Sequence, residues 1–264
     1  MGKRLFDVVG AALALIATAP LLALAALGIT LASPGPVLYR AARRGRGGRP
    51  FTMLKLRTMH QEQGGRASRI TATRDPRVFP FGALLRRLKI DELPQLLNVL
   101  RGEMSIVGPR PEDPELVTRH YAPVHWETLA VRPGLASPGS IYNATHGARL
   151  LEGPDPERRY LESLLPLKLA LDLVYVRRAS LGYDLAVIGR TLRLIAGQLA
   201  GRTRFPDPPE LAEARALVVA VKTRPGSDPD RERAAPRPGD SRRESRRGEK
   251  FETSQSTELM RREA

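Results

Sequence analysis

The sequence predicts a mixed α/β (α+β) monotopic membrane protein, held at one face of a bilayer by a single re-entrant helix. Three observations predict it. An uncharged run extends from Val8 to Tyr39 with Pro20 near its centre, two short strand-like runs flank a glycine-rich turn behind it, and several basic amphipathic stretches follow. After residue 204 the composition shifts to Pro, Arg, Glu and Ser. The organisation read from this is a re-entrant membrane helix over 1–36, a folded domain over 37–204 and a mostly disordered basic tail over 205–264.

The apolar run exceeds the roughly 20 residues needed to cross a ~30 Å hydrocarbon core. Lys3 and Arg4 ahead of it also fit a signal peptide, but Ala17-Thr18-Ala19 would cut the run in its middle and the run is about twice a usual signal core. Pro20 removes a helix hydrogen bond and clashes with the preceding turn, which predicts a kink there. Each arm is then about 12 residues, or ~18 Å, too short to span alone. Positive residues stand at both flanks, Lys3 and Arg4 on one and Arg40, Arg43, Arg44, Arg46 and Arg49 on the other. Cations favour the cytoplasmic face, and a kinked helix that returns to its starting side satisfies both flanks. An ordinary single span with a tolerated proline is the competing reading.

Ser33-Pro34-Gly35-Pro36 ends the helix. Val37–Arg40 and Phe51–Met59, joined through Gly45, Gly47 and Gly48, predict a β-hairpin with a basic loop. The period of two sets Lys55 and Arg57 on one face of the second strand; such a face serves equally as a phosphate grip or a solvated edge. Gln61–Arg74 reads as a polar mobile loop. Helices are expected at Phe79–Ile90, Leu93–Leu100, Pro156–Arg178 and Tyr183–Leu199, the first and last amphipathic and basic enough to lie on an anionic surface. In the tail only Glu210–Val221 reads as helix; its Arg242-Arg243, Arg246-Arg247 and Arg261-Arg262 pairs fit anionic lipid head groups.

The 264-residue chain carries a formal net charge of +15 and no cysteine. Disulfides, thiolate zinc sites and cysteine nucleophiles are thereby excluded. The charge calls for a polyanionic partner: nucleic acid, anionic membrane or phosphorylated substrate. No zinc spacing, helix-turn-helix pattern or aromatic stacking motif supports nucleic acid.

Two segments carry the chemistry. Ile90-Asp91-Glu92-Leu93-Pro94-Gln95 puts paired carboxylates ahead of a proline, the pattern of a helix N-terminus, where the dipole would keep both ionised. An ionised Asp91 can attack phosphorus and Glu92 can hold a divalent cation; the same pattern also serves as a plain acidic cap. In Gly108-Pro109-Arg110-Pro111 a guanidinium fixed between prolines presents a fork suited to phosphate, or simply stiffens a turn. Arg86, five residues before Asp91, either neutralises a diphosphate beside it or faces solvent.

In order and spacing, the residues resemble a family. Lys3–Asp7, Ser33–Pro36, Lys55–Met59, Asp91–Gln95, Asn98–Gly102, Met104–Pro111, Arg132-Pro133-Gly134, and Asp172 with Tyr175, Ser180 and Asp184 look like the bacterial sugar transferases, the monotopic polyprenyl-phosphate phosphoglycosyl transferases. The resemblance covers about residues 3–200, and Asp91–Pro111 is its most specific part. It implies that Asp91 is the nucleophile, forming a covalent phospho-sugar enzyme with release of a nucleoside monophosphate from a UDP-sugar. It further implies that Glu92 binds Mg2+, that Arg110 contacts phosphate with Lys55, Arg57 and Arg86 lining the same site, and that polyprenyl (undecaprenyl) phosphate is the acceptor. The setting implied is the cytoplasmic face of the bacterial inner membrane, at the first step of a glycoconjugate or exopolysaccharide pathway. The chain departs from the family pattern at Ala19, usually Ser, at Ala41-Ala42, usually Gln-Glu, and at Leu135-Ala136-Ser137 with Ser140 in place of a Gln; the last change bears on donor recognition. The rival readings are transfer of a sugar without its phosphate, a non-catalytic membrane scaffold of polysaccharide assembly, and a basic anion-binding protein.

Overall fold

A computed structural model describes residues 2–60 and 75–223. The expected loop at Gln61–Arg74 and the arginine pairs of the tail lie outside the described residues. The chain begins with helix α1, Gly2–Ala32, which continues through Pro20. Strands β1, Leu38–Arg44, and β2, Pro50–Leu56, pair antiparallel in the register Leu38↔Leu56 to Arg44↔Pro50. Their turn needs the left-handed backbone of Gly47 and Gly48 (φ +67° and +72°), which glycine adopts without a Cβ penalty. The hairpin and the helix stop at Ser33 therefore form as the sequence predicts.

Helices α2, Pro80–Arg87, and α3, Gln95–Arg101, follow, then β3, Ser105–Val107, α4, Pro114–His120, and β4, Gly134–Ala136. The β3 and β4 strands pair parallel. The sequence pattern does not disclose this second small sheet, because three-residue strands carry too little periodicity to read. Gly134 crosses Gly108 so closely that a Cβ on Gly134 would lie 2.1 Å from the Gly108 nitrogen. That contact sets where the loop Pro109–Pro111 leaves β3.

Next come α5, Pro138–Leu150, and α6, Pro156–Arg159, which passes through a π turn at Tyr160–Leu164 into α7, Leu165–Arg178. The expected helix at 156–178 is thus continuous but widened by a π turn one turn after its start. Helix α8 is Leu181–Leu199 and α9 is Leu211–Lys222. Leu211 and Ala214 are buried with Tyr142, Leu164 and Leu171, and Arg190 on α8 pairs with Glu210 at 2.8 Å. The folded unit therefore extends past the boundary drawn at residue 204, because α9 has an apolar face that α5 and α7 cover.

Both ends of α1 dock on this same unit. At its start Lys3 pairs with Asp184 at 2.6 Å, and Arg4 donates to the carbonyls of Val99 and Leu100 at the end of α3. Asp7, 2% exposed, accepts from Ser105 Oγ and the Ile106 amide. Ala11 packs with Met53, Leu96, Val99 and Met104. Near its end Ala25 and Ile29 pack with Leu56, Phe79, Leu85 and Ile90. Between Ala11 and Ala25 no residue of the helix is buried, and Leu13, Ile16, Leu21 and Leu24 stand exposed. The N-terminal cations, read from the sequence as a cytoplasmic flank, are thus spent on intramolecular ties. Helix α8 likewise exposes Leu181, Leu185, Leu192 and Leu199, which fall on one stripe at 3.6 residues per turn.

Candidate active site

The paired carboxylates sit in a tight turn between α2 and α3. Helix α2 ends at Arg87, and Lys89 then takes the left-handed conformation (φ +59°), the sole non-glycine among the described residues to do so. A non-glycine residue held there costs energy and survives where the surroundings enforce it. The reversal sends Ile90 into the core beneath α1 and leaves Asp91 and Glu92 in a 3-10 turn, Ile90–Glu92. The acidic pair is therefore not the first turn of a long helix. Helix α3 begins only at Gln95, after Pro94.

The two carboxylates are electrostatically unequal. Glu92 meets three cations: Arg110 Nη2 at 2.6 Å and Nη1 at 3.3 Å, Lys55 Nζ at 3.1 Å and Lys89 Nζ at 4.0 Å. Burial opposes its charge, but Arg110 and Lys55 override that and hold the carboxyl well below the usual carboxylate range. Asp91 is 5% exposed, and its Oδ1 has no hydrogen-bond partner among the described residues. Burial, reinforced by the charge on Glu92, pushes its pKa up, only partly offset by Lys55, Lys89 and Arg86. The expectation that a helix dipole keeps both ionised is corrected here: cations keep Glu92 charged, whereas Asp91 is the harder of the two to ionise.

Gln95, fully buried one turn beyond Asp91, also has its Oε1 and Nε2 without partners among the described residues. A buried polar atom left unpaired costs about 1–3 kcal/mol, so three such atoms in one turn mark a place built to meet something else. Mg2+ takes oxygen ligands and is held mostly by one or two carboxylates, water and substrate phosphate. Asp91 Oδ1, Glu92 and Gln95 Oε1 supply oxygens of that kind. The described residues contain no group of three His, Asp or Glu able to hold a metal by themselves. The residues present fit a magnesium ion shared with phosphate.

Arg110 is held at its backbone as well as its side chain. Its amide donates to Asp172 Oδ2 at 3.1 Å, while the Gly139 amide donates to Oδ1 at 2.9 Å. One carboxylate on α7 thus ties the Pro109–Pro111 loop to the start of α5. Burial pushes Asp172 up to about 6, against the pull of Ser137 and Lys168. A folded-state value raised from 3.8 adds stability that is full below that value and lost as pH rises through about 6. At ~1.36 kcal/mol per unit the loss is about 3 kcal/mol. Asp172→Asn is expected to flatten this part of the stability profile, so thermal unfolding at about pH 4.5 and about pH 7.5 should differ less in the variant than in wild type.

Beneath the loop lies a buried network that sequence reasoning misses. Lys168, 3% exposed, donates to Glu112 Oε1 and to Tyr160 Oη. Burial works against its charge, but Glu112 more than compensates and raises its pKa. Lys168→Met strands Glu112 and is expected to destabilise the fold by about 3–5 kcal/mol. Adding Glu112→Gln should recover part of the loss in a melting experiment. The sequence does hold a signal: Lys168 and Asp172, one helical turn apart, are the only charges in the otherwise apolar run Leu165–Val176.

Of the predicted site residues, Asp91, Glu92, Lys55 and Arg110 come together, and Arg86 lies close enough to act on the charge of Asp91. Arg57 does not join them. It is 4% exposed and donates to the carbonyls of Ser33, Pro34 and Gly35 and to Ser33 Oγ. Its reading as a phosphate grip is corrected: carbonyls that α1 and its proline-rich exit leave without partners claim the guanidinium first.

Comparison with known proteins identifies the family. The family profile described as "Bacterial sugar transferase" matches residues 1–198. The UDP-glucose:undecaprenyl-phosphate glucose-1-phosphate transferase of Caulobacter vibrioides is 43% identical over 192 residues, 72% of this chain and 68% of that protein. The undecaprenyl-phosphate glucose phosphotransferase of Komagataeibacter xylinus is 41% identical over 72% of this chain and 35% of its own length. An Aeromonas hydrophila UDP-N-acetylgalactosamine-undecaprenyl-phosphate N-acetylgalactosaminephosphotransferase is 34% identical over 73% of this chain and 43% of its own length. The chain thus spans less than half of the last two relatives. With the profile matched across three quarters of its length and the acidic pair caged by Lys55 and Arg110, the chain belongs to the bacterial sugar transferase family.

Proposed function

We propose that this enzyme transfers a sugar 1-phosphate from a UDP-sugar to undecaprenyl phosphate through a phospho-sugar ester on Asp91. The observation that carries the reading is the unpartnered Asp91 Oδ1 beside a carboxylate that already gathers three cations. The names of the relatives support the same donor and acceptor classes.

Asp91 attacks the sugar-bearing phosphorus of the donor, the bond from that phosphorus to the bridging oxygen breaks, and uridine monophosphate leaves with both electrons. Lys55 and Arg110 exchange Glu92 for the diphosphate oxygens and hold them in line. Bound magnesium, held by Glu92 with Asp91 and Gln95 nearby, would neutralise charge building on the leaving phosphate. The lipid phosphate then attacks the same phosphorus and Asp91 departs as carboxylate. A phosphate dianion needs no base for this step.

The anchoring proposed is monotopic. Docking of both α1 ends on one folded unit supports a helix that enters and leaves on the cytoplasmic face of the inner membrane, kinked at Pro20, with the exposed leucines of α8 in the interface. The sugar is open, since the donors named for the relatives include both UDP-glucose and UDP-N-acetylgalactosamine.

The test is a product assay in nanodiscs with magnesium, undecaprenyl phosphate and a panel of UDP-sugars. Release of uridine monophosphate supports the mechanism and names the donor. Release of uridine diphosphate would replace it with plain glycosyl transfer, and turnover by no member of the panel would favour a scaffold.

A further inference from the structure

The hairpin that carries Lys55 has two strands, so among the described residues β2 pairs with a strand along one edge only. At the other edge lies Asn98 of α3, fully buried. Its Oδ1 accepts from the Leu54 amide at 3.0 Å, and its Nδ2 donates to the Thr52 carbonyl at 2.8 Å. One side-chain amide thus meets β2 as the peptide of a third strand would. Nδ2 also donates to Glu103 Oε2 at 2.7 Å. These partners fix the orientation of the amide. Turned over, it would set its NH2 against the Leu54 N–H and its oxygen against two acceptors.

The grip falls beside the cationic cage. Leu54 immediately precedes Lys55, and side chains two apart on a strand share a face. Lys55 therefore leaves β2 on the side of Met53, which shares a buried cluster with Leu96 and Val99 of α3. Helix α3 in turn follows the turn that holds Asp91 and Glu92. Asn98 joins the strand bearing the cation to the helix behind its carboxylate partner, across which Lys55 Nζ and Glu92 Oε1 stand 3.1 Å apart. A two-stranded hairpin is marginal by itself, and apolar contact at Met53 is non-directional, so it does not stop β2 sliding along α3. Hydrogen bonds to one amide and one carbonyl do stop it, because they weaken steeply with misalignment.

We propose that Asn98 is a positioning residue for the donor step, seating β2 on α3 so that the Lys55 ammonium stands where the diphosphate is received. It rests on the reading of that site given above. The first test does not use the reaction. Full-length enzyme in nanodiscs is treated with a limiting amine-acetylating reagent, and the rate at each lysine is read by mass spectrometry. Asn98→Ala should raise the rate at Lys55 about threefold or more, the scale of a weakened ion pair, while buried Lys168 stays unreactive. An unchanged rate at Lys55 would overturn the proposal. If Lys168 reacts as well, the variant has loosened the whole fold, and Glu103→Ala, at a half-buried position, decides instead. It removes the third partner of the amide, so Lys55 should react faster with Lys168 still protected; a wild-type rate at Lys55 would sink the assignment.

The second test uses the UDP-sugar turned over in the product assay, carrying radioactive phosphorus in its β-phosphate. Labelling of Asp91 measures the first step, and loss of label on adding undecaprenyl phosphate measures the second. Asn98→Ala should slow labelling about tenfold, but less than about twofold further in a Lys55→Met background. Equal slowing in both backgrounds would make Asn98 a general support of the fold and refute positioning. If wild type never becomes labelled, the covalent mechanism fails on its own account. The same comparison is then made on kcat/KM for nucleotide release, whichever nucleotide leaves, and the acetylation result stands unaltered.

Discussion

Asp91→Asn is expected to abolish uridine monophosphate release and covalent labelling together, with turnover reduced by at least about 10^4-fold. The amide keeps the size of the side chain but has no charge to donate to phosphorus. Because Asp91 Oδ1 has no hydrogen-bond partner among the described residues, the substitution breaks no such bond at that atom, and burial favours a neutral group there. The variant should therefore melt at or above the wild-type temperature. Loss of activity accompanied by loss of fold would instead mark Asp91 as structural. Retained labelling would move the nucleophile elsewhere.

Arg110→Lys should produce the second largest loss, about 10^2-fold or more in kcat/KM. The charge is kept, so the experiment isolates the fork. Arg110 approaches both oxygens of Glu92, through Nη2 at 2.6 Å and Nη1 at 3.3 Å, and a diphosphate offers the same paired oxygens. An ammonium is a point charge and satisfies one of them. The loss should lie in the labelling step, with discharge by undecaprenyl phosphate less affected. A variant that labels at the wild-type rate would show that Arg110 serves Glu92 alone.

Both of those residues are legible in the amino-acid sequence, as are α1, the hairpin and the helices over 93–100 and 183–199, because each carries a long period or a compact motif. What escapes depends on contacts across the chain. Asp172 is visible as part of a spacing but not as the group holding the Arg110 amide, since nothing local links positions 62 apart. The strand period places Arg57 with Lys55; it is right about the strand and blind to the carbonyls waiting at Ser33, Pro34 and Gly35. The charge state of the acidic pair is hidden for a related reason. The helix that its motif suggests begins only at Gln95, and the cations that decide the matter come from β2 and from the loop after β3.

Ile90 links two of these features. It lies in the cluster with Ala25 and Ile29 of α1, and it is the residue immediately before Asp91. Helix α1 thus packs on the residue one peptide unit from the proposed nucleophile. On the proposed anchoring, bilayer thickness, lipid composition or a detergent belt that shifts the second half of α1 shifts the proposed reacting carboxyl with it. Deleting the helix to obtain a soluble enzyme would strip Leu56, Phe79, Leu85 and Ile90 of their cover and release the turn that Lys89 is strained to make. On the proposed anchoring the lipid environment is in this sense part of the catalytic apparatus, and extracting the protein from it is an active-site perturbation.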